Sequence, residues 1–498
     1  MTNSSDRAAG GTTGPADGAR GDSGRAVMFV YNDCRNDARV LREAATLVGA
    51  GYDVTIMARP TNTASKEVER EERDGFEIVR IPIPRRASSR TWVWVRQAWR
   101  TKGWIARWIV FRVKRAILHP RPRTWWQALL AVLFGLVIFP WALLQRTETA
   151  VLHLLGRDRF PGTATLDWMV RWRQTILGWA NATAESAPIA DVYHGHDLTA
   201  LPAAIAAAKR NGAPVVYDSH EIFLEAGSTA TRPRWARWIF RRLEQGWIRK
   251  ADALVTVNVS LEEVLTKRYH PRRTVVLHNT PSRWVAPAQP RPLMRTELGL
   301  GPDIPIALYH GGFSAHRGLE ELAAAILQPG LEHVHAVFMG YGSRKDWLVA
   351  ESADPRYGGR FHVLAAVPPE RLLEWVVDAD VGVMAIQTST LNHYLSTPNK
   401  LFECLAAGVP VVASDFPEMR RIVLGNPDGP LGVLCRQDDP ADVARGIRSI
   451  VDMPAAERAA LRRRCLAAAH DRWNWETESK RLVQLYADLR AHSAPRPS

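Results

Sequence analysis

Cysteine is scarce in this chain of 498 residues, which contains four, Cys34, Cys404, Cys435 and Cys465. They form no CxxC pair and have no histidine at the spacing of a zinc site, so the sequence predicts neither a disulfide framework nor a metal centre. This usage is typical of a reducing cytoplasm. The turn after the first predicted strand lacks GxGxxG, which argues against a dinucleotide-binding dehydrogenase.

Acidic residues are missing from one long stretch. The formal net charge is +14, and the segment from Arg85 to Arg123 holds twelve Lys or Arg and no Asp or Glu. The residues outside this segment carry a net charge of 14 − 12 = +2, so we expect a near-neutral globular protein with one basic strip. Residues 1–25 also lack an apolar run, which predicts a disordered tail and not a signal peptide.

The basic strip opens a predicted insertion, residues 85–180, that carries eleven of the nineteen Trp residues. Basic residues among Trp and aliphatic side chains are typical of a helix in a membrane interface. Trp125–Leu144 follows, twenty residues with Gln127 as the one polar side chain, which is long enough to span a bilayer.

A single crossing, however, would separate the strands of one parallel sheet. We therefore predict a monotopic or re-entrant helical insertion that dips in from the cytoplasmic side, on the anionic inner face of the plasma membrane. A buried helix packed on the protein is the alternative. The apolar run beside the strip argues against a nucleic-acid partner.

Outside the insertion, short apolar runs alternate with amphipathic helical segments, which predicts an α/β protein with two doubly wound parallel sheets. The predicted parts are a first unit at 26–282, a Pro-rich linker at 283–304, a second unit at 305–475, a helix at 476–490 that crosses back to the first unit, and a tail at 491–498. Residues 431–490 are expected to be helical throughout.

One stretch, STPNKLFECLAAGVPVVAS (Ser396–Ser414), predicts a short helix at 398–407 followed by a buried strand. Thr397 can cap its N-terminus, Pro398 suits the first helical position and Gly408 ends it.

At 100° per residue the helix has an apolar side, with Leu401, Phe402 and Leu405, and a polar side, with Asn399, Lys400 and Glu403. Free amides at a helix N-terminus and the charge of Lys400 suit a diphosphate. The Glu403 carboxylate can accept hydrogen bonds from two ribose hydroxyls. A solvated surface helix is the alternative.

The run PNKLFECLAAGVPVVASDFPEMRRIV resembles the donor-site region of the retaining, nucleotide-sugar-dependent glycosyltransferases of the GT-B fold, family 4. The motifs HGHD, YDSHE and YHGGFSAHRGLEEL, which lie earlier in the chain, also match motifs of the family. The resemblance implies two Rossmann-like domains that face a cleft, with the acceptor bound in the first domain and the nucleotide sugar in the second.

The resemblance also implies roles for individual residues. His196 is expected beside the reacting carbon of the donor sugar, and Arg317 and Lys400 against the leaving diphosphate, so that no metal or other cofactor is needed. Contacts to the nucleotide sugar are expected from Gly311, Gly312, Gly340, Gly342, Asn399, Lys400 and Glu403. The acceptor side is expected to include Asp37, Arg39, His194 and Glu221, although Asp37 and Arg39 equally suit a capping and surface role.

Two positions depart from the family's pattern. Gly312 stands where many members carry a second basic residue, and Leu395 stands where the first of two paired glutamates is expected. The carboxylate that usually faces the sugar is therefore missing, and some member of the loop TSTLNHYLST must contact the sugar instead.

The predicted function is transfer of a sugar, with retention, from a UDP- or GDP-sugar to a glycan or lipid-linked acceptor at the cytoplasmic membrane face. The lipid-linked acceptor follows from the position of the insertion in the acceptor domain. Two alternatives stay open: a nucleotide-sugar epimerase of the same architecture, and a non-catalytic, membrane-associated scaffold that binds nucleotide sugars.

Overall fold

The computed structural model describes residues 24–83 except 63, 64 and 66, the short pieces 111–113, 115, 117–118, 125–130 and 132–133, and residues 162–493 except 288. Two β-sheets lie at the centres of two α/β units. The predicted fold class is confirmed, since almost every strand pairing is parallel and helices connect successive strands.

The first unit contains an eight-stranded sheet in the order β3-β4-β2-β1-β5-β6-β7-β8, in which β3 pairs antiparallel with β4. Its strands are β1 Arg25–Phe29, β2 Asp53–Ala58, β3 Glu69–Arg73, β4 Phe76–Arg80, β5 Val192–His196, β6 Val215–Ser219, β7 Ala253–Thr256 and β8 Thr274–Val276. The central strands β1, β5 and β6 are buried along almost their whole length because helices cover both faces.

The second unit contains a six-stranded parallel sheet in the order β11-β10-β9-β12-β13-β14. Its strands are β9 Ile306–Gly312, β10 His335–Tyr341, β11 Phe361–Ala365, β12 Val381–Met384, β13 Val411–Ser414 and β14 Gly432–Cys435. The expectation that residues 431–490 are all helical is therefore wrong. Strand β14 pairs with β13 at the sheet edge, where Gly432 lies so close to β13 that a Cβ atom would meet the Val411 carbonyl oxygen at 2.0 Å.

The labelled helices cover both faces of the two sheets. In the first unit they are α1 Ala38–Gly49, α2 Gly162–Ser186, α3 Asp197–Ala208, α4 Gly227–Ala230, α5 Arg234–Ile248 and α6 Val259–Tyr269. In the second they are α7 Leu293–Leu298, α8 Leu319–Ala325, α9 Lys345–Ser352, α10 Leu372–Val376, α11 Leu391–Tyr394, α12 Asn399–Ala406, α13 Pro417–Val423, α14 Pro440–Val451 and α15 Ala455–Asp471. The chain ends in α16, Trp475–Ser493.

Helix α16 returns to the first unit and packs against α1. The Trp475 indole donates a hydrogen bond to Thr46 Oγ1 at 2.8 Å, and the Tyr486 ring meets that of Tyr52 edge to face. The predicted linker is also partly structured, because α7 lies within it and Arg295 of that helix pairs with Asp380 of the second unit at 2.7 Å.

Direct contacts hold the two units together along the cleft. Asn392 of α11 forms two hydrogen bonds with the backbone of Ile222, at 2.8 and 3.0 Å. Asn258 donates to the Leu395 carbonyl at 2.8 Å, and Glu418 accepts from both the amide and the hydroxyl of Ser260. Leu395 itself is buried in the apolar core of the first unit.

Of the predicted insertion, the structure describes α2 and the short pieces before it. Trp179 of α2 is fully buried in the first core. In the described part of the chain, no helix is both long and apolar enough to cross a membrane. Most of residues 85–144 lie outside the described residues, so the membrane association of this segment stays a prediction.

Leu395→Glu is expected to lower the free energy of unfolding by about 3 kcal/mol, because it would bury a carboxylate that has no partner. Leu395→Met keeps the volume and should cost less than about 1.5 kcal/mol. Urea denaturation at pH 7 measures both. Equal stability of the two variants would show that position 395 faces water and could present a carboxylate to a ligand.

Candidate active site

The candidate site lies in the cleft, where the carboxyl ends of the two parallel sheets meet, as is usual for ligand sites of α/β proteins. The first unit contributes the ends of β5 and β6. The second contributes the end of β9, the loop that follows it and the first turn of α12. Asn279 and Asn399 join the two sides through a hydrogen bond of 3.0 Å.

Helix α12 begins one residue later than predicted, with Pro398 as the N-cap. Thr397 does not cap the helix, because its hydroxyl accepts a hydrogen bond from Asn258 of the first unit at 2.9 Å. The apolar side is confirmed, since Leu401, Phe402 and Leu405 are buried. Pro398 provides no side-chain oxygen, so the first amides of α12 remain available to a ligand.

Two cations stand in this part of the cleft. Lys400 Nζ lies 3.3 Å from the centroid of the Tyr309 ring. Burial, aided by the charge of Arg317, lowers the pKa of Lys400 to about 7. Within residues 24–83 and 162–493, neither Lys400 nor Arg317 forms an ion pair with a carboxylate. Arg317 and the protonated form of Lys400 favour the binding of an anion.

Glu403 lies one turn into α12 and is held by a residue that the sequence did not single out. His310 Nε2 of β9 lies 2.8 Å from Glu403 Oε2. His310 is buried, whereas the Glu403 side chain keeps 22% of its surface exposed. The histidine orients the carboxylate and leaves its other oxygen available to hydroxyl groups.

The four glycines predicted to contact the nucleotide sugar differ in the space around their Cα atoms. At Gly340 an added Cβ atom would lie 1.9 Å from the Gly311 carbonyl oxygen, and at Gly342 it would lie 2.3 Å from that of Phe313. Both are therefore required by the packing of the protein's own backbone. Gly312 is open on its outer side, and the side chain of Lys400 passes 3.8 Å from the Cβ position of Gly311.

In the first unit, Asp218 at the end of β6 is surrounded by positive and proton-donating groups. Arg39 donates to both of its oxygens, at 2.8 and 3.0 Å. His220 Nε2 lies 3.0 Å and His196 Nδ1 3.3 Å from the same carboxylate. Burial would raise the pKa of Asp218, but Arg39 and His220 hold it well below its usual value.

His196 is the last residue of β5 and is completely buried. Its ring stacks on that of His194, with centroids 4.3 Å apart, and Tyr486 of α16 holds His194 Nδ1 at 2.9 Å. Burial lowers the pKa of His196, which keeps the ring neutral. Its Nε2 atom is buried and has no partner among the described residues.

Two family models match the chain. The Glycosyl transferase 4-like domain matches residues 37–280, and Glycosyl transferases group 1 matches residues 304–453. The chain is a GT-B glycosyltransferase of family 4. The resemblance inferred from the motifs is thereby confirmed, and with it the prediction of a glycosyl-transferring enzyme.

The glycosyltransferase also resembles two named bacterial enzymes. It is 27% identical to the glycogen synthase of Mycobacterium tuberculosis over 62% of this chain and 71% of that protein. It is 29% identical to the D-inositol 3-phosphate glycosyltransferase of Xylanimonas cellulosilytica over 60% of this chain and 72% of that protein.

Two solved structures share the fold. The sucrose-phosphate synthase of Thermosynechococcus elongatus has a TM-score of 0.61 at 17% identity, over 94% of this chain and all of that one. A trehalose-6-phosphate protein of E. coli, bound with UDP-2-fluoro glucose, has a TM-score of 0.58 at 13% identity, over 95% of this chain and all of that one.

Of the residues predicted on the acceptor side of the glycosyltransferase, Glu221 opens to the cleft. Desolvation by the cleft walls, followed by the charge of Asp197, raises the pKa of Glu221 to about 7. Arg39 and His194 are buried, so any effect on an acceptor must act through their partners. Asp37 caps α1 by accepting from the Val40 amide.

Glu43, His194, His196 and Asp218 bring metal-ligand atoms within 4.8 Å of one another. Arg39, however, lies 2.8 Å from Asp218 and 3.1 Å from Glu43, where it supplies the positive charge. Burial and the charge of Asp218 raise the pKa of Glu43 well above its usual value, which favours a neutral carboxyl. This donor set therefore suits a buried ion-pair network better than a divalent cation.

The loop that lacks the expected glutamate presents a histidine instead. Leu395 faces the first core, whereas His393, two residues earlier, is held by Ser389 Oγ at 2.6 Å from its Nδ1. Burial, followed by the charges of Arg317 and His316, lowers the pKa of His393.

The stability of the glycosyltransferase is expected to fall as pH rises from about 6.5 to 10. Although burial opposes it, the charges of Asp197 and Asp218 raise the pKa of His220 to about 10 in the folded state. Protonated His220 thus contributes stability that is complete below its unfolded pKa of about 6.5 and is lost as pH passes through the folded value.

Urea denaturation at pH 7 and pH 9.5 tests this pH dependence. The wild type should lose more stability than His220→Gln over the interval, while the exposed-histidine control His333→Gln should behave as the wild type. Parallel losses in wild type and His220→Gln would contradict the pairing of His220 with the two aspartates.

Proposed function

We propose that this glycosyltransferase moves a sugar, with retention, from a UDP- or GDP-sugar to a lipid-linked acceptor at the cytoplasmic face of the plasma membrane. The observation that carries the donor assignment is the pair formed by Lys400 of α12 and Arg317 of the loop after β9, which have no carboxylate partner among the described residues. A diphosphate supplies the missing negative charge and accepts hydrogen bonds from the free helix amides.

The remaining donor contacts follow from the geometry around α12. Glu403, oriented by His310, accepts from the ribose hydroxyls, one helical turn from the phosphates. Gly312 is open on its outer side and provides no basic side chain, unlike many family members at this position. The α12 amides, Lys400 and Arg317 therefore neutralise the charge of the phosphates. The E. coli structural relative, bound with UDP-2-fluoro glucose, supports a uridine nucleotide.

The chemical step breaks the bond between the anomeric carbon and the diphosphate and forms a bond from that carbon to an acceptor oxygen. Arg317, Lys400 and the α12 amides stabilise the charge that moves onto the leaving diphosphate. The acceptor's proton passes to an oxygen of the leaving phosphate. His196, whose buried Nε2 has no partner among the described residues, is assigned the contact to the sugar beside the reacting carbon. No metal or cofactor is required in this scheme.

We assign to His393 the contact with the donor sugar that the missing glutamate usually makes. Its ring is fixed by Ser389 and stands near Arg317, whereas Leu395 is turned into the first core. An imidazole donates or accepts one hydrogen bond where a carboxylate accepts two, so the preferred sugar is expected to differ from that of enzymes with the glutamate pair.

The lipid-linked acceptor is supported by the composition of the predicted insertion, residues 85–180, which belongs to the acceptor domain and carries twelve basic residues between Arg85 and Arg123. Water-soluble sugar or inositol phosphates are the rival acceptors, in view of the names of the relatives. Membership of the glycosyltransferase family leaves the epimerase and scaffold interpretations without support.

Calorimetric titration with UDP and GDP is expected to show binding of one nucleotide. Lys400→Ala and Glu403→Ala should each weaken it at least tenfold, about 1.4 kcal/mol, because each removes a donor contact. The exposed lysine of α16 provides a control, Lys480→Ala, which should bind as the wild type. Folded wild-type protein that binds neither nucleotide would refute the donor site.

Transfer of radiolabelled sugar into an organic-solvent extract tests the acceptor. With membranes as the acceptor source and the nucleotide sugar chosen by the titration, label is expected in the lipid fraction and to be lost in Lys400→Ala. Label that enters only water-soluble sugar phosphates would overturn the lipid-linked acceptor while leaving the donor site intact.

A further inference from the structure

Helix α5 of the first unit has one buried side and one exposed side that is rich in Arg and Trp. Its sequence is RWARWIFRRLEQGWI, in which Ala236, Phe240, Glu244 and Ile248 are buried at a spacing of four. The opposite side, which we call the Arg/Trp face, is formed by Arg234, Trp235, Trp238, Arg241 and Arg242.

The aromatic residues of the Arg/Trp face are large and accessible. Trp238 is 59% exposed and Trp235 is 40% exposed, one turn apart on the same side of the helix. The side chain of Leu243 beside them is 41% exposed. Such a cluster of apolar surface on a single helix marks an interaction surface.

The charge of this surface is strongly positive. Residues 234–250 contain five Arg, one Lys and one Glu, so the segment carries 6 − 1 = +5. The single acid, Glu244, is buried and bonded to the Tyr269 hydroxyl, so it neutralises little of the outer face. Within the described ranges, Arg234, Arg241 and Arg242 have no carboxylate partner.

The arginines surround a shallow cavity large enough for a phosphate group. The cavity has a volume of about 280 Å³ and is lined by Trp238, Arg241, Arg242, Gln245 and Arg268. Arg242 lies over the Trp238 ring, 5.3 Å from its centroid, so charge and indole share one surface. Arg268 also approaches Glu225, at 3.6 Å, which Arg237 binds more closely.

The helix that carries the Arg/Trp face packs against the end of the predicted insertion. Helix α2, which ends the insertion, packs on the inner side of α5, where Trp172 meets Phe240 edge to face and stacks on Trp247. Leu166 and Val170 of α2 are 40% and 45% exposed. Helix α2 therefore adds exposed apolar side chains to the unit that carries the Arg/Trp face.

We propose that the Arg/Trp face docks on an anionic phospholipid bilayer surface. Arginine guanidinium groups bind lipid phosphates, and indole rings prefer the headgroup layer, where one edge is apolar and the N–H is hydrated. The alternation of the two on one exposed helix face favours a bilayer over nucleic acid. This inference rests on the proposed membrane-face reaction, and it gives the first unit a docking element outside the predicted insertion.

Vesicle co-sedimentation of the full chain tests the docking surface. The vesicles contain phosphatidylcholine alone or phosphatidylcholine with phosphatidylglycerol, and neither carries an acceptor glycolipid. Wild type is expected to bind the anionic vesicles, more weakly at high salt. Arg241→Gln/Arg242→Gln and Trp235→Ala/Trp238→Ala should each weaken binding about tenfold. Arg463→Gln/Lys480→Gln, with the same charge loss on exposed positions of α15 and α16, should bind as the wild type.

Three outcomes would overturn the proposal: no binding of wild type to anionic vesicles, wild-type binding by both α5 variants, or equal weakening in the control. Displacement of the protein from vesicles by RNA at lower concentration than by inositol hexakisphosphate would identify the face as a nucleic-acid surface instead. Nucleotide titration of the same variants separates the two claims, since intact nucleotide binding with lost vesicle binding leaves the donor site in place.

Discussion

The uncompensated positive charge of Lys400 and Arg317 is the constraint on which the donor side of the cleft depends. Packing of Leu401, Phe402 and Leu405 into the second core fixes α12, and the Tyr309 ring fixes the Lys400 ammonium at 3.3 Å. Burial lowers the pKa of Lys400 to about 7, so the free enzyme holds this charge at a cost. A bound diphosphate removes that cost and is drawn to the site for the same reason.

In the first unit, by contrast, the buried positive charge is paired with a carboxylate. Arg39 is buried and fully paired with Asp218, and this pair holds His220 and the ring of His196 at the ends of β5 and β6. Burial of such a pair is favourable only when its geometry is good, and here both guanidinium hydrogen bonds are within 3.0 Å. The network is therefore a rigid base that positions His196, while the cations opposite are kept free for substrate.

Sequence patterns predicted the features that depend on local periodicity. They failed for features that depend on contacts between residues far apart in the chain. The 3.6-residue period placed the two sides of α12 correctly, and the alternation of strands and helices predicted both sheets. Arg39 appeared suited to the surface because its partner, Asp218, is 179 residues away. Thr397 satisfies the rules for an N-cap, yet a contact with Asn258 from the other domain takes its hydroxyl. Strand β14 was missed because Gly429, Pro430 and Gly432 interrupt its apolar run, a pattern that is typical of a turn.

A crystal structure of the enzyme with the nucleoside diphosphate that it binds would test the donor assignment most directly. We predict the β-phosphate within hydrogen-bond distance of Arg317, Lys400 and the first amides of α12, and the ribose hydroxyls on Glu403. A nucleotide bound elsewhere, or phosphates that face away from Lys400 and Arg317, would contradict it.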